Sequence, residues 1–205
     1  MIRLIEWFHE HQVHRRRVRV LADCIADLLP ENANVLDVGC GDGELAAEIL
    51  LRRPDVIVQG IDVLVREDTA IPVHAFDGQQ IPFDNGRFDI VILVDVLHHT
   101  ETPDQLLRES HRVANAGIVI KDHNRQGFAA QSTLSFMDRV GNARHGVALP
   151  CNYLAPREWQ ALFEATGLRV HRTIEKLRLY PWPLSWVFER HLHFVAFLKL
   201  ETPLK

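Results

Sequence analysis

The chain has few cysteines, no long apolar run and little net charge. Its three cysteines, Cys24, Cys40 and Cys151, stand at unrelated spacings, which argues against a disulfide framework and against a zinc site. No apolar run approaches the ~20 residues of a membrane span, and charged and histidine residues interrupt the N-terminus, where a secretory signal would be apolar. The net charge of −4 predicts no general attraction to nucleic acid. We therefore expect a cytoplasmic protein that binds no nucleic acid and has no integral membrane association.

The remaining composition suits one globular domain. The chain has 205 residues, of which 47% are hydrophobic, so it can bury a full core. The basic run over residues 14–19 is interpreted as the solvated face of a helix, because Val18, Leu21 and Ile25 supply an apolar stripe at helical spacing. We expect residues 1–205 to form a single domain, with residues 1–30 as an N-terminal helical cap.

The stretch from Asn34 to Gly43, NVLDVGCGDG, has the pattern of a strand, a glycine turn and the start of a helix. Val35, Leu36 and Val38 form a short apolar run of the kind that is buried on both faces of a parallel sheet. A helix is predicted next, since apolar residues recur on one face and basic residues lie near its end. Glycines at such a turn let a ligand approach bare backbone at the helix N-terminus. The turn is therefore predicted to bind a ligand.

Two acidic residues narrow down that ligand. Asp37 lies within the strand that precedes the turn, where it suits a ligand with an ammonium group. Asp62 ends the next apolar run, and a carboxylate at the tip of a second strand is the usual partner of a ribose diol. The glycine spacing is G-x-G-x-G, which differs from the G-x-G-x-x-G of dinucleotide-binding sites.

These residues, together with FDGQQIPFDNGRFDIVILVDVLHHTETP from Phe76 to Pro103, resemble the class I S-adenosylmethionine-dependent methyltransferases, and most of all their small-molecule branch. The resemblance covers roughly Val35 to Val170. It implies an α/β fold, a single doubly wound Rossmann-like domain whose seven-stranded, mostly parallel sheet has its last strand antiparallel. It also implies a lid insertion after the fifth strand, over residues 124–154, a segment too long for a plain connection. The implied activity is methyl transfer from S-adenosylmethionine to a small organic acceptor.

The resemblance also assigns parts of the cofactor to residues. Ligands of open α/β sheets lie beyond the C-terminal ends of the strands. Asp37 and the glycine turn would hold the amino-acid end of S-adenosylmethionine, Asp62 the ribose and Asp77 the adenine. The expected cofactor-binding residues are Asp37, Gly39, Cys40, Gly41, Asp62, Val63, Asp77, Gly78 and Asp95.

Candidate catalytic residues follow the fourth and fifth predicted strands, of which the fifth is the apolar run from Ile118 to Ile120. A hydroxyl or acidic carbon acceptor would need a base, and histidine titrates near working pH. His98, His123 and Asp122 are therefore the catalytic candidates. No metal is expected, because the other histidines have no second ligand set at a recognised spacing. The acceptor is expected to have a hydrophobic body and a polar or anionic group.

Two alternatives remain open. One is an NAD(P)-dependent oxidoreductase on a Rossmann fold, against which stand the glycine spacing, Asp37 and the lack of a Tyr-x-x-x-Lys pair, since the only tyrosines are Tyr153 and Tyr180. The other is a non-catalytic S-adenosylmethionine-binding protein, which would keep the glycine turn without a working acceptor pocket.

Overall fold

The computed structural model of the protein describes residues 13–142 and 150–201, which form a sheet with helices on both faces. The strands are Asn34–Val38 (β1), Ile57–Asp62 (β2), Val73–Ala75 (β3), Phe88–Val94 (β4), Ala114–His123 (β5), Leu168–Ile174 (β6) and His193–Leu200 (β7). The helices are Arg15–Ala26 (α1), Glu44–Arg52 (α2), Pro103–Val113 (α3), Ala130–Asn142 (α4), Pro156–Ala165 (α5) and Ser185–Phe188 (α6), with a 3-10 turn at Leu97–His99.

The order of the strands confirms the predicted doubly wound sheet. The seven strands lie in the order β3-β2-β1-β4-β5-β7-β6. β7 is antiparallel to β5 and β6, whereas the pairs β1–β2, β2–β3, β1–β4 and β4–β5 are parallel. The chain leaves β1 in one direction towards β3 and returns to β4 on the other side. The switch point, where ligands bind in such sheets, therefore lies between β1 and β4.

Two hydrophobic cores cover the two faces of the sheet. Side chains alternate along β1, so that Val35 packs into one core while Leu36 and Val38 pack into the other. Side chains of α1 and α2 complete the first core, and those of α3 and α5 complete the second. The same alternation directs Asp37 to the face that α1 and α2 cover.

The helix α4 lies in the predicted lid, between β5 and α5. Its buried side chains belong to a third, small cluster of Ala130, Leu134, Tyr153 and Leu192. The lid over residues 124–154 and the cap over residues 1–30 stay predictions, since residues 143–149 and 1–12 lie outside the described residues. Within the described part of the chain, no helix has the length and apolar character to cross a bilayer. The three cysteines are free thiols.

Candidate active site

The glycine turn places bare backbone between β1 and the start of α2. Gly39, Gly41 and Gly43 have φ angles of 72°, 60° and 77°, a region that other residues rarely adopt. A Cβ at Gly39 would lie 2.5 Å from Cγ2 of Val96, so the turn has no room for one. The N–H of Gly39 donates to the carbonyl oxygen of Ile61 at 2.8 Å. This bond fixes the turn against the end of β2, so both strand ends border one crevice.

Asp62 and Asp77 are each held in place by backbone N–H groups. The two oxygens of Asp62 accept hydrogen bonds from Gly41 at 2.8 Å and Leu64 at 2.9 Å. Asp77 accepts hydrogen bonds from the backbone N–H groups of Gln80 and Gln79, which lower its pKa. Both carboxylates border a cavity of about 480 Å³. They therefore meet a ligand in fixed orientations.

Asp37 borders a second cavity, of about 190 Å³, which shares Gly39 and Asp95 with the first. Its side chain is buried, and burial, together with the nearby charge of Asp62, raises the pKa of Asp37 to about 7. From residues 13–142 and 150–201, no hydrogen bond reaches this carboxyl group. A buried carboxyl group without a partner suits a ligand that brings a positive charge.

All the expected cofactor-binding residues but one line these two cavities. The exception is Gly41, whose N–H is taken by Asp62. The lining residues among those expected are Asp37, Gly39, Cys40, Asp62, Val63, Asp77, Gly78 and Asp95.

Asp95 joins the two cavities and carries a concentrated set of charges. Arg17 donates to its Oδ2 at 3.0 Å, and the fully buried Lys121 donates to its Oδ1. Burial opposes ionisation of Asp95, but the charges of Lys121 and Arg17 outweigh it and lower the pKa well below its usual range. Both oxygens of Asp95 are therefore engaged by cations of the protein. The charge of Asp95 is thus balanced within the protein, while each of its oxygens keeps a further lone pair.

His98 is fully buried and positively charged. Its Nδ1 donates to Oδ1 of Asp122 at 2.7 Å, and its Nε2 lies 3.4 Å from Oδ2 of Asp138. Burial alone would lower the pKa of His98, but Asp122 and Asp138 outweigh it and raise the pKa to about 10. At neutral pH the ring is therefore a cation, suited to hold an anion and not to accept a proton.

His123 is buried as well but is neutral. Its Nδ1 is 3.1 Å from Nδ1 of His193, and Nε2 of His193 is 2.8 Å from the carbonyl oxygen of Phe188. Because a carbonyl only accepts, Nε2 of His193 carries a hydrogen and Nδ1 of His193 is left as an acceptor. His123 then donates from Nδ1 and keeps a lone pair on Nε2. Burial, and next Lys121, lower the pKa of His123 well below its usual range.

Sequence reasoning missed three residues of this site. The interpretation of a solvated basic face holds for Arg15, Arg16 and Arg19, which are exposed, but not for Arg17. Only 23% of the Arg17 side chain is exposed, because it adjoins the apolar stripe of α1. That position, four residues before the buried Leu21, is the signal that could have revealed it. Asp138 and His193 come from α4 and β7 and belong to no motif.

A family model described as a methyltransferase domain matches residues 9–173. The chain belongs to this family. Within the methyltransferases, it is 27% identical over 126 residues to 27-O-demethylrifamycin SV methyltransferase of Amycolatopsis mediterranei, covering 54% of this chain and 46% of that protein. It is 31% identical over 91 residues to malonyl-[acyl-carrier protein] O-methyltransferase of Legionella pneumophila, and this match covers 40% of this chain and 32% of that protein. Each match spans less than half of the relative's length.

The fold also matches solved methyltransferases. A SAM-dependent methyltransferase from Thermotoga maritima superposes with a TM-score of 0.63 at 18% identity, covering 97% of this chain and 100% of that one. Membership of the methyltransferase family implies S-adenosylmethionine as the cofactor. The residues present fit it, because Asp37 is a buried carboxyl group that meets no hydrogen-bond donor of the described residues and borders the same cavity as the glycine turn.

Proposed function

We propose that this methyltransferase-family protein transfers a methyl group from S-adenosylmethionine to a small organic acceptor. The observation that carries the proposal is Asp37, a buried carboxyl group beside the glycine turn, in a family whose cofactor has an ammonium group. The names of the two relatives indicate small-molecule and carrier-bound acceptors for those proteins. We further propose that the protein acts in the cytoplasm, since its three cysteines are free thiols, and that it does not act on nucleic acid, since its net charge is −4.

Different residues of the two cavities would bind different parts of the cofactor. Asp37 would accept from the ammonium group, and Arg17, in the same cavity, would offer its guanidinium to the carboxylate. Asp62 would accept from the ribose hydroxyls, and Asp77 would lie beside the adenine. When bound, S-adenosylmethionine supplies a methyl group that its sulfonium already activates. The protein is therefore left with alignment and with the proton of the acceptor.

The two buried histidines would have opposite roles. His123 is the base in this proposal, because its Nε2 keeps a lone pair and the ring is neutral. His98 is a cation and would stabilise negative charge on the acceptor. Asp122 would act through His98, whose Nδ1 it holds at 2.7 Å.

Cofactor binding is the first test. We expect calorimetry to detect S-adenosylmethionine binding, and Asp62→Ala to weaken it at least tenfold, because two charge-assisted hydrogen bonds to the ribose are lost. Asp68→Ala, an exposed position in the loop that follows β2, is the matched control and should leave the affinity unchanged. Preference for NAD over S-adenosylmethionine would contradict the proposal.

Turnover is the second test. In a panel of small hydroxylated acceptors, we expect mass spectrometry to detect a methylated product. His123→Ala should lower its rate of formation by ~10²-fold or more, as loss of a general base does, while cofactor affinity stays within twofold. Combined loss of turnover and cofactor affinity would instead make His123 a structural residue or a cofactor ligand.

A non-catalytic S-adenosylmethionine-binding protein is the second candidate function. It is favoured by the burial of both histidines, which are 0% and 3% exposed, so that neither ring is open to an acceptor in this arrangement. Tight cofactor binding without product across the whole acceptor panel would support this candidate over methyl transfer.

A further inference from the structure

The helix α4 inserts a carboxylate between the two buried histidines. Asp138 has 13% of its side chain exposed, and its Oδ2 is 3.4 Å from Nε2 of His98. Its Oδ1 is 3.7 Å from Nε2 of His123. The hydroxyl of Tyr153 donates a hydrogen bond to the same carboxylate. Asp138 therefore lies where an acceptor would have to lie in order to reach both rings.

The contact between Asp138 and His98 is close but poorly formed. A hydrogen bond between a charged N–H and a carboxylate is usually about 2.7–2.9 Å long. At 3.4 Å, Nε2 of His98 is buried yet has no hydrogen-bond partner among the described residues. On the other side of the ring, Asp122 holds Nδ1 at 2.7 Å. His98 is thus a fixed, buried cation with one unsatisfied N–H, whose nitrogen lies 3.4 Å from Asp138.

The buried network around His98 is balanced in charge only while Asp138 is part of it. Its cations in the described part of the chain are Arg17, Lys121 and protonated His98, and its carboxylates are Asp95, Asp122 and Asp138. Removal of Asp138 would leave an excess positive charge beside the buried imidazolium. An uncompensated buried charge is strongly unfavourable. Whatever displaces Asp138 therefore has to bring a negative charge.

The helix that carries Asp138 packs through a small cluster of its own. Ala130 and Leu134 contact Tyr153 and Leu192 in a cluster separate from the two main cores. Segments with few buried apolar contacts are the ones that open at low cost. Met137 of α4 also packs, partly buried, against the first core, so withdrawal of Asp138 would cost the contacts of Met137 but would move none of the fully buried side chains of that core.

We propose that the methyl acceptor is an organic anion, whose carboxylate or related oxyanion binds His98 in place of Asp138. The inference rests on the proposed function, because it concerns the acceptor of that reaction. A carboxylate reproduces the group that Asp138 presents and, free of the helix, can approach Nε2 of His98 to a normal hydrogen-bond length. The nucleophilic group of the acceptor then lies beside His123. Without the acceptor, Asp138 takes the place of its anion and keeps the site closed.

Acetate, with acetamide as its neutral counterpart, tests this site without cofactor or acceptor. In Asp138→Ala, titration with acetate should shift the NMR signals of the His98 ring until they saturate. We expect acetate to bind this variant at least tenfold more tightly than it binds wild type, and at least tenfold more tightly than acetamide, because only the anion forms a charge-assisted hydrogen bond. Asp138→Asn is the matched control, since it fills the space without the charge and should bind acetate no better than wild type.

Two results would overturn the proposal. One is a folded Asp138→Ala variant that gives no saturable response to acetate, or that responds equally to acetamide. If that variant does not fold, wild type decides the question through acceptor pairs that differ only in a carboxylate or its amide. The carboxylate should have at least a tenfold higher kcat/KM, and equal values would be the second contrary result. Calorimetry with S-adenosylmethionine tests the proposed function separately from the proposed acceptor. Failure to bind S-adenosylmethionine would refute the methyl-transfer function whatever the acetate titration shows.

Discussion

Replacement of Asp37 by asparagine should stabilise the ligand-free protein while it removes cofactor binding. Burial, and next the charge of Asp62, raise the pKa of Asp37 from 3.8 to about 7. Because the folded protein holds this proton more tightly than the unfolded chain, stability falls as the pH rises from about 4 through about 7, and it stays low above that. The difference of about three pKa units corresponds to about 4 kcal/mol. Above pH 7 the folded protein carries this full cost.

Asparagine removes the charge and keeps the shape. A buried amide without partners costs about 1–3 kcal/mol, so we expect a net gain of roughly 1–3 kcal/mol in the free energy of unfolding at pH 8. Urea unfolding at pH 8 and pH 4 measures it, and at pH 4, where Asp37 is protonated in the folded protein, the gain should turn into a loss, because the cost of the buried amide is then no longer offset. The exposed Asp68→Asn is the control. A variant that is less stable than wild type at pH 8 would refute the electrostatic reasoning.

The affinity for S-adenosylmethionine should depend on pH through the same ionisation of Asp37. Asp37 has to be ionised to pair with the ammonium group, so affinity should fall about tenfold for each pH unit well below 7. The ligand's own amino group, with a pKa of about 8, stays charged in this range. Calorimetry at pH 5.5 and pH 7.0 should therefore differ by about tenfold or more for wild type. For Asp37→Asn, binding should be at least tenfold weaker at pH 7.0 and independent of pH. Unchanged affinity in this variant would remove Asp37 from the cofactor site.

Three further predictions concern the turn and the histidines. Gly41→Val should weaken S-adenosylmethionine binding at least tenfold by calorimetry, because φ of 60° disfavours valine and a shift of the Gly41 N–H would release Asp62; equal affinity would mean that the turn tolerates a side chain there. His193→Phe removes the acceptor for Nδ1 of His123, so nitrogen-15 NMR should detect a mixture of His123 tautomers and turnover should fall. A single unchanged tautomer would contradict the hydrogen bond from His123 to His193. The raised pKa of His98 stabilises the fold fully below pH 6.5, and this contribution is lost as the pH rises through about 10. Wild type should therefore lose about 3–4 kcal/mol more than His98→Gln between pH 7 and pH 10 in urea unfolding, and parallel losses would count against a charged His98.

The glycine turn and the strand ends that border the two cavities could be predicted because their signals are local in sequence. A strand that is buried on both faces needs an apolar run such as Val35 to Val38, and a turn with positive φ needs glycines. These requirements act on consecutive residues, so they appear as a motif. Asp62 follows by the same logic, since the end of the neighbouring strand has to border the turn. The fold class was predictable for the same reason.

The acceptor half could be predicted only in part. The apolar run that predicts the fifth strand ends at Ile120, which puts Lys121, Asp122 and His123 beyond its tip, but β5 continues through them to His123. Pairing with β7 extends the strand, because β7 supplies backbone partners that do not depend on apolar side chains. In that register His123 faces His193, 70 residues away. A contact of this kind has no pattern in a single sequence.

The protonation states of the two histidines could not be predicted either, and the cause is physical. His98 and His123 are the same residue type and are equally buried, and burial lowers the pKa of both. Two carboxylates, Asp122 and Asp138, reverse that effect at His98, whereas Lys121 reinforces it at His123. A cation that holds an anion and a neutral base therefore lie with their ring centres 4.6 Å apart. In the proposed reaction His98 would hold the anion of the acceptor and His123 would accept its proton, and only the neighbours from α4, β5 and β7 separate these two roles.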